Sequence, residues 1–219
     1  STNESAQGAT TAKYFEGGST VTPTVSLTGS GNATTIDGDY SIDKFIIDGT
    51  YTTNTTLDVE YLVVGGGASG GGRDGTMTGG GGGAGGYRTA TGFSLPSNSS
   101  TPYTIQVGVG GAALTTGIGN DGESSIFHTI TSGGGGGGGN PNGNAGANAS
   151  AGSGGGGAGQ GGAGGVSTAY GNNGGQAFNS APYGSAGGGG GAGGAGPTGL
   201  SSTNGAVGGI GLANDIMET

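Results

Sequence analysis

Leu57-Asp58-Val59-Glu60-Tyr61-Leu62-Val63-Val64 runs without a break into Gly65-Gly66-Gly67. Leu57, Val59, Tyr61 and Val63 alternate with Asp58, Glu60, Leu62 and Val64. A period of two predicts a β-strand, one-sided where it begins and buried on both faces where it ends. What decides the fold is that this strand delivers the chain straight into glycine. The same arrangement recurs downstream. Tyr103-Thr104-Ile105-Gln106-Val107 leads into Gly108-Val109-Gly110-Gly111, and Ser124 to Ile130 leads, two residues on, into the unbroken run Gly133 to Gly139. The spacing is irregular, so this is not a fixed-period solenoid.

Outward from these junctions the composition is uneven. Only 7 of the 64 glycines precede residue 57. Gly133 to Ala213 contains no Asp, Glu, Lys or Arg. The sequence therefore divides into a β-rich N-terminal assembly or attachment region over 1–56 and a glycine-rich domain over 57–219. In the first, Val21, Val25 and Leu27 sit in a Ser/Thr-rich stretch, and Asp37-Gly38 and Asp48-Gly49 interrupt β-branched and aromatic runs. Asp-Gly is a hairpin signal because glycine accepts positive φ, so a meander is expected here. No stretch has a helical period.

Glycine and proline together make up about a third of the chain, a level that usually means low complexity. Hydrophobic residues are 29%, with no Trp, too few for a conventional core of the size usual at this length. Glycine offers something else, which is close approach of backbones. A polyproline-II-type helix has three residues per turn and its N–H and C=O groups point outward. Without a Cβ, such helices can lie side by side and bond to one another. The fold expected is mainly β with a polyglycine-II helix bundle and little or no α-helix. Collagen is excluded by the lack of a Gly-X-Y register and by only 6 prolines. A charge-free stretch suits such a bundle, because a buried unpaired charge is costly.

The net charge is −9, from 13 acidic and 4 basic residues. That disfavours nucleic acid, which is bound through Lys and Arg, and anionic membrane surfaces. No apolar run approaches the ~20 residues that a membrane helix needs. With no Cys there are no disulfides and no thiolate metal sites.

Chemistry-bearing constellations are sparse. His128 is the only histidine, and a lone strand histidine reads as structural; no Ser-His-Asp set assembles around it. A phosphate loop needs Gly-x-x-x-x-Gly-Lys-Ser/Thr, and no Lys follows Lys44. Asp37, Asp39 and Asp43 could offer oxygen to Ca²⁺, but their spacing departs from the EF-hand loop and they read as turn carboxylates. No catalytic residue, cofactor or metal site is expected, and the chain reads as a non-enzyme. The candidate contact residues are those that interrupt glycine: Arg73, Asp74 and Met77 in one break, and Tyr170, Phe178 and Tyr183, with Asn172 and Asn173, between two others. Exposed aromatics on a rigid scaffold suit recognition; capping of the bundle or packing at a subunit interface is the competing use. Tyr61, Tyr87, Phe93, Tyr103 and Phe127 are assigned to or near strands, as core.

Val59 to Gly67, Gly79 to Thr89, Tyr103 to Gly111, Asn120 to Phe127 and Gly208 to Leu212 together resemble the glycine-rich domain of phage tail-fibre and virion proteins. The likeness spans roughly residues 57–216. It implies a polyglycine-II architecture reminiscent of T-even-like phage adhesins. It also implies a structural virion component, a tail fibre or appendage, with loops for host attachment. Partners on this reading are further copies of the chain as a homo-oligomer (a trimer or a filament), other virion proteins, and a host surface protein or glycan. The location is the extracellular virion, and the chain is part of a longer protein. The alternative is a bacterial cell-surface or extracellular filament subunit assembled through the N-terminal β region.

Overall fold

A computed structural model describes residues 8–15, 24–73, 78–142, 146–149, 151–159, 161–179, 184–201 and 205–216. Among them there is no helix, and ten strands form two antiparallel sheets. The strands are β1 (Ala9–Phe15), β2 (Val25–Leu27), β3 (Ala33–Asp37), β4 (Tyr40–Phe45), β5 (Gly49–Thr53), β6 (Leu57–Val64), β7 (Tyr87–Leu95), β8 (Tyr103–Gln106), β9 (Ser125–Phe127) and β10 (Ile130–Ser132). One sheet has the order β3-β4-β1-β6-β7 and the other β10-β9-β8-β5-β2. Strands from before and after residue 57 share both sheets: β1 lies between β4 and β6, and β5 pairs with β8.

The alternation in β6 holds, but its end is not buried on both faces, because Leu62 and Val64 are only half-buried. Leu57, Val59, Tyr61 and Val63 are buried, and Asp58 is exposed. These side chains meet the second sheet in one apolar core with Phe45, Tyr51, Leu95, Ile105 and Phe127. Phe127 is its hub. Its ring lies 6.4 Å from Tyr61, 6.3 Å from Phe93 and 6.1 Å from Tyr51, the last edge-on, within the separations at which aromatic pairs attract. Tyr103 and Phe93 are half-buried against this core. Tyr87 lies outside it, half-buried beside the glycine segments, and its hydroxyl donates to the Ala213 carbonyl at 3.4 Å.

Two further local expectations need correction. Asp37-Gly38 does begin a hairpin: Asp37 pairs with Tyr40 across a Gly38-Asp39 loop, and Gly38 has φ +57°. Asp48-Gly49 does not. There the chain leaves β4 in one sheet and enters β5 in the other. The Asp48 carboxylate accepts the Val107 amide at 2.8 Å, and Gly49 is required because a Cβ would overlap the Thr28 carbonyl. The stretch Ser124 to Ile130 is likewise not one strand but the start of the β9–β10 hairpin, turned at His128-Thr129 with His128 at φ +53°. The imidazole packs on Tyr103 at 4.4 Å between ring centroids.

Ser125 joins the sandwich to the glycine segments. Fully buried, its hydroxyl donates to the Val64 carbonyl at 2.7 Å and accepts the Gly108 amide at 2.9 Å. Both partners stand where a strand gives way to glycine.

Candidate functional site

The glycine segments have no strand ladder, yet their amides are paired in an ordered way. From Ser153 to Gly157, five consecutive N–H groups donate in turn to Ala84, Asn172, Ala147, Gly81 and Gly175. Ser153 and Gly156 thus bond one neighbouring segment, Gly154 and Gly157 a second, and Gly155 a third. The same stride of three appears elsewhere. Gly65, Ala68 and Gly71 donate to Gly86, Gly83 and Gly80, while Gly66, Ser69 and Gly72 donate to Glu123, Asn120 and Gly117. A pleated strand alternates with a period of two, so these contacts are not a continuation of the sheets.

The register of these bonds gives each segment a direction. Segment 65–73 leaves β6, and 78–86 returns to β7. Segment 133–139 leaves β10, and 151–158 runs parallel to it through Gly136 to Ser153 and Gly139 to Gly156. Segment 172–177 is parallel to 151–158, and 184–191 is antiparallel to it, through Gly187 to Gly157 and Gly190 to Gly154. The turns therefore gather at two ends, a base against the sandwich and a tip away from it.

Arg73, in the 112–118 loop's company, stands at the tip: its amide donates to the Thr115 carbonyl at 3.0 Å and its side chain is exposed. Phe178 is also at the tip, 39% exposed, bridged to Ser185 through the Phe178 amide at 2.8 Å. Ile118 and Leu200 are exposed there too, although neither was singled out from sequence. Tyr170 is at the base. The segment 172–177 separates it from Phe178, about 20 Å of chain at the rise of a three-residue helix. The Arg88 guanidinium lies 4.3 Å above the Tyr170 ring and donates to the Thr131 carbonyl at 3.0 Å. The Tyr170 carbonyl accepts the Tyr87 amide at 2.9 Å. Tyr170 thus clamps the glycine segments to β7 and β10. Asp74, Met77 and Tyr183 lie outside the described residues.

The asparagines in the glycine breaks act on turns. Asn172 donates to the Gly191 and Ala192 carbonyls at 2.9 and 3.0 Å, and Asn173 accepts the Ser167 amide at 2.9 Å. Of the aspartates, Asp43 is buried and accepts a hydrogen bond from Thr34. Among the described residues no three His, Cys, Asp or Glu groups come together as metal ligands, and no helix is long and apolar enough to cross a membrane.

A groove of about 500 Å³ opens on one side of the glycine segments. Its lining carries no charged side chain; Val64, Tyr87 and Leu212 supply the larger apolar surfaces, and the rest is Gly and Ala. Val207, Ile210 and Leu212, on the segment that forms its rim, are 74%, 72% and 55% exposed.

A family model described as the glycine-rich domain matches residues 46–217. No match to the chain was found among curated proteins or among solved structures. The match covers most of the chain, which belongs to the glycine-rich domain family.

Proposed function

Taking the chain as a member of the glycine-rich domain family, we propose that it is a structural display module, without catalytic function, in which a polyglycine-II bundle holds binding loops away from a β-sandwich. The stride-three hydrogen bonding supports the bundle. A helix with three residues per turn sends successive amides in three directions, which is how Ser153 to Gly157 reach three neighbours. Close approach supports it as well. A Cβ on Gly155 would overlap the Gly137 carbonyl, and one on Gly137 would overlap that of Gly119.

The observation that carries the display reading is the gathering of Arg73, the 112–118 loop, Phe178 and Leu200 at the tip. Apolar side chains left exposed on a well-bonded scaffold are the groups that recognition uses. The setting we propose is a phage tail fibre or other virion appendage, as the sequence resemblance implies, with the chain assembled with copies of itself and other virion proteins and the tip turned towards a host surface protein or glycan. The test replaces the 112–118 loop with a Gly/Ser linker of equal length and, separately, Phe178 and Leu200 with Ser. Adsorption of the labelled chain to candidate host cells should fall at least tenfold with an unchanged melting temperature. Adsorption untouched by both replacements refutes the tip as the binding surface.

One observation favours the alternative of a bacterial surface filament. The edge strand β3 is exposed at four of its five residues, and an open edge can accept a strand from another chain. Fibrils that form through β3 and are abolished by Thr35→Pro would select that reading.

A further inference from the structure

The groove beside the glycine segments has a lining that the display role does not require. Six glycines along it, Gly67, Gly82, Gly85, Gly189, Gly208 and Gly211, have amides that donate to no group among the described residues. The sequence neighbours of Gly67, Gly82, Gly85 and Gly189 do donate: Ala68 to Gly83, Gly81 to Gly187, Gly83 to Gly136, Ala84 to Gly190, Gly86 to Gly133, Gly188 to Pro197 and Gly190 to Gly154. Gly82 and Gly85 are three apart, as are Gly208 and Gly211. The interior segment 153–157 donates at every residue, whereas 65–72 and 79–86 lack every third bond, and Gly67, Gly82, Gly85 and Gly189 line one groove. Gly85 and Gly189 are buried and Gly67 and Gly82 half-buried; an unpaired amide in such a site is costly, and a row of them at this spacing suits a further extended glycine-rich segment.

The occupant is narrowed by charge and by the rim. A chain of net charge −9 repels its own copies across most surfaces, but this groove carries no charge. Its rim, segment 205–212, is itself sparsely bonded. It donates from Ala206 to Ala186 and from Gly209 to Gly189, and it leaves Val207 and Ile210, again three apart, in solvent. A two-fold axis beside the rim would set the 205–212 ridge of each copy into the groove of the other. That arrangement pairs the free amides of both copies and covers both apolar ridges.

We infer that the groove is a self-association site, which accepts segment 205–212 of a second copy of this chain in an isologous dimer. The inference rests on the three-residue conformation and the self-assembly proposed above, and it adds the contact and its symmetry. Closed symmetry of this kind needs one patch that is complementary to itself, and a groove beside its own ridge is such a patch.

The test uses the full chain. Gly208→Leu with Gly211→Leu fills the groove without disturbing the fold. A Cβ at Gly211 meets nothing within 4 Å, one at Gly208 meets only the Gly189 carbonyl oxygen at 3.9 Å, and neither has positive φ. Val207→Asp with Ile210→Asp is the second variant and places carboxylates on the ridge. Sedimentation velocity should show a dimer for the parent chain and at least tenfold weaker dimerisation for both variants. Amide exchange at Gly67, Gly82 and Gly85 should be slow in the dimer and fast in the variants. A parent chain that stays monomeric overturns the inference, as does a dimer indifferent to both pairs of substitutions. A monomer that binds a synthetic glycine-rich peptide of unrelated sequence in the groove overturns the choice of a second copy. In each of these failures, protection of every donating amide in 153–157 would leave the scaffold reading intact, and its loss would remove both.

Discussion

Gly137→Ala puts the claim that backbones touch backbones here to a quantitative test. Gly137 is buried, and a Cβ built on it overlaps the carbonyl group of Gly119 and lies 3.0 Å from the Gly119 Cα. Backbone cannot rotate away as a side chain can, so segments 119–123 and 133–139 must separate. Three bonds hold them at this level: Gly119 to the Gly138 carbonyl at 2.8 Å, Gly122 to the Gly135 carbonyl at 2.9 Å, and Gly137 to the Asp121 carboxylate at 2.7 Å. At about 0.5–1.5 kcal/mol net for each bond, their loss costs about 2–4 kcal/mol. The narrower unfolded ensemble of Ala over Gly returns about 0.4–1 kcal/mol. The expected net loss is about 2 kcal/mol, or a midpoint lower by about 4–8 °C for a domain of this size. Gly205→Ala is the control. Its Cβ would meet only the Ala186 carbonyl oxygen, at 3.8 Å, and its φ is not positive. The same unfolded-state term should make it neutral or stabilising by up to about 1 kcal/mol. Urea denaturation of both variants decides the matter. If Gly137→Ala is as stable as the parent, the glycine at that position is not there for close approach, and the packing argument fails.

Other expectations concern the junctions. Asn98 is buried and accepts the Thr53 amide at 2.6 Å while donating to the Tyr51 carbonyl at 2.7 Å. Asn98→Ala removes the bond to the Thr53 amide and the bond to the Tyr51 carbonyl and should cost about 2–4 kcal/mol in urea denaturation. Ser125→Ala removes both bonds that join β9 to Val64 and Gly108 and should cost about 1–3 kcal/mol, with faster amide exchange at Gly108 as its local mark. Arg88→Ala and Tyr170→Ala, taken through a double-mutant cycle, should show a coupling of about 0.5–1 kcal/mol for the stacked guanidinium; additive effects would mean that the stack contributes nothing. Phe127→Ala opens the hub of the aromatic core and should destabilise by about 3–5 kcal/mol in the same assay.

The strands were legible where side chains alternate. β6 shows its buried face in its sequence, though not that Leu62 and Val64 stay half-buried, and Gly38 marks its hairpin. β1 was missed because Ala-Thr-Thr-Ala-Lys-Tyr-Phe has no strong apolar period, yet it is central in its sheet with Thr10 and Thr11 buried. The β9–β10 turn was missed because His128 occupies a positive-φ position that glycine or asparagine would have announced. Asp48-Gly49 was misread because one dipeptide serves two needs, positive φ in a hairpin and close approach at a crossing between sheets. The candidate contact residues separated for a related reason. Glycine carries no pattern that says which segment lies beside which. Tyr170 at the base and Phe178 at the tip therefore looked equivalent in sequence, and only the hydrogen-bond register sets them apart. The groove was invisible for the same reason, since the pairing of backbone amides leaves no trace in side chains.

The central claim is that the glycine segments are ordered by hydrogen bonds repeating every third residue. Residue-resolved amide exchange across 78–86, at concentrations where the chain is monomeric, tests it most directly. The account predicts slow exchange at Gly80, Gly81, Gly83, Ala84 and Gly86, whose amides donate to Gly139, Gly187, Gly136, Gly190 and Gly133. It predicts fast exchange at Gly79, Gly82 and Gly85, which donate to nothing among the described residues. Uniformly fast exchange, or protection alternating at every second residue, would contradict it.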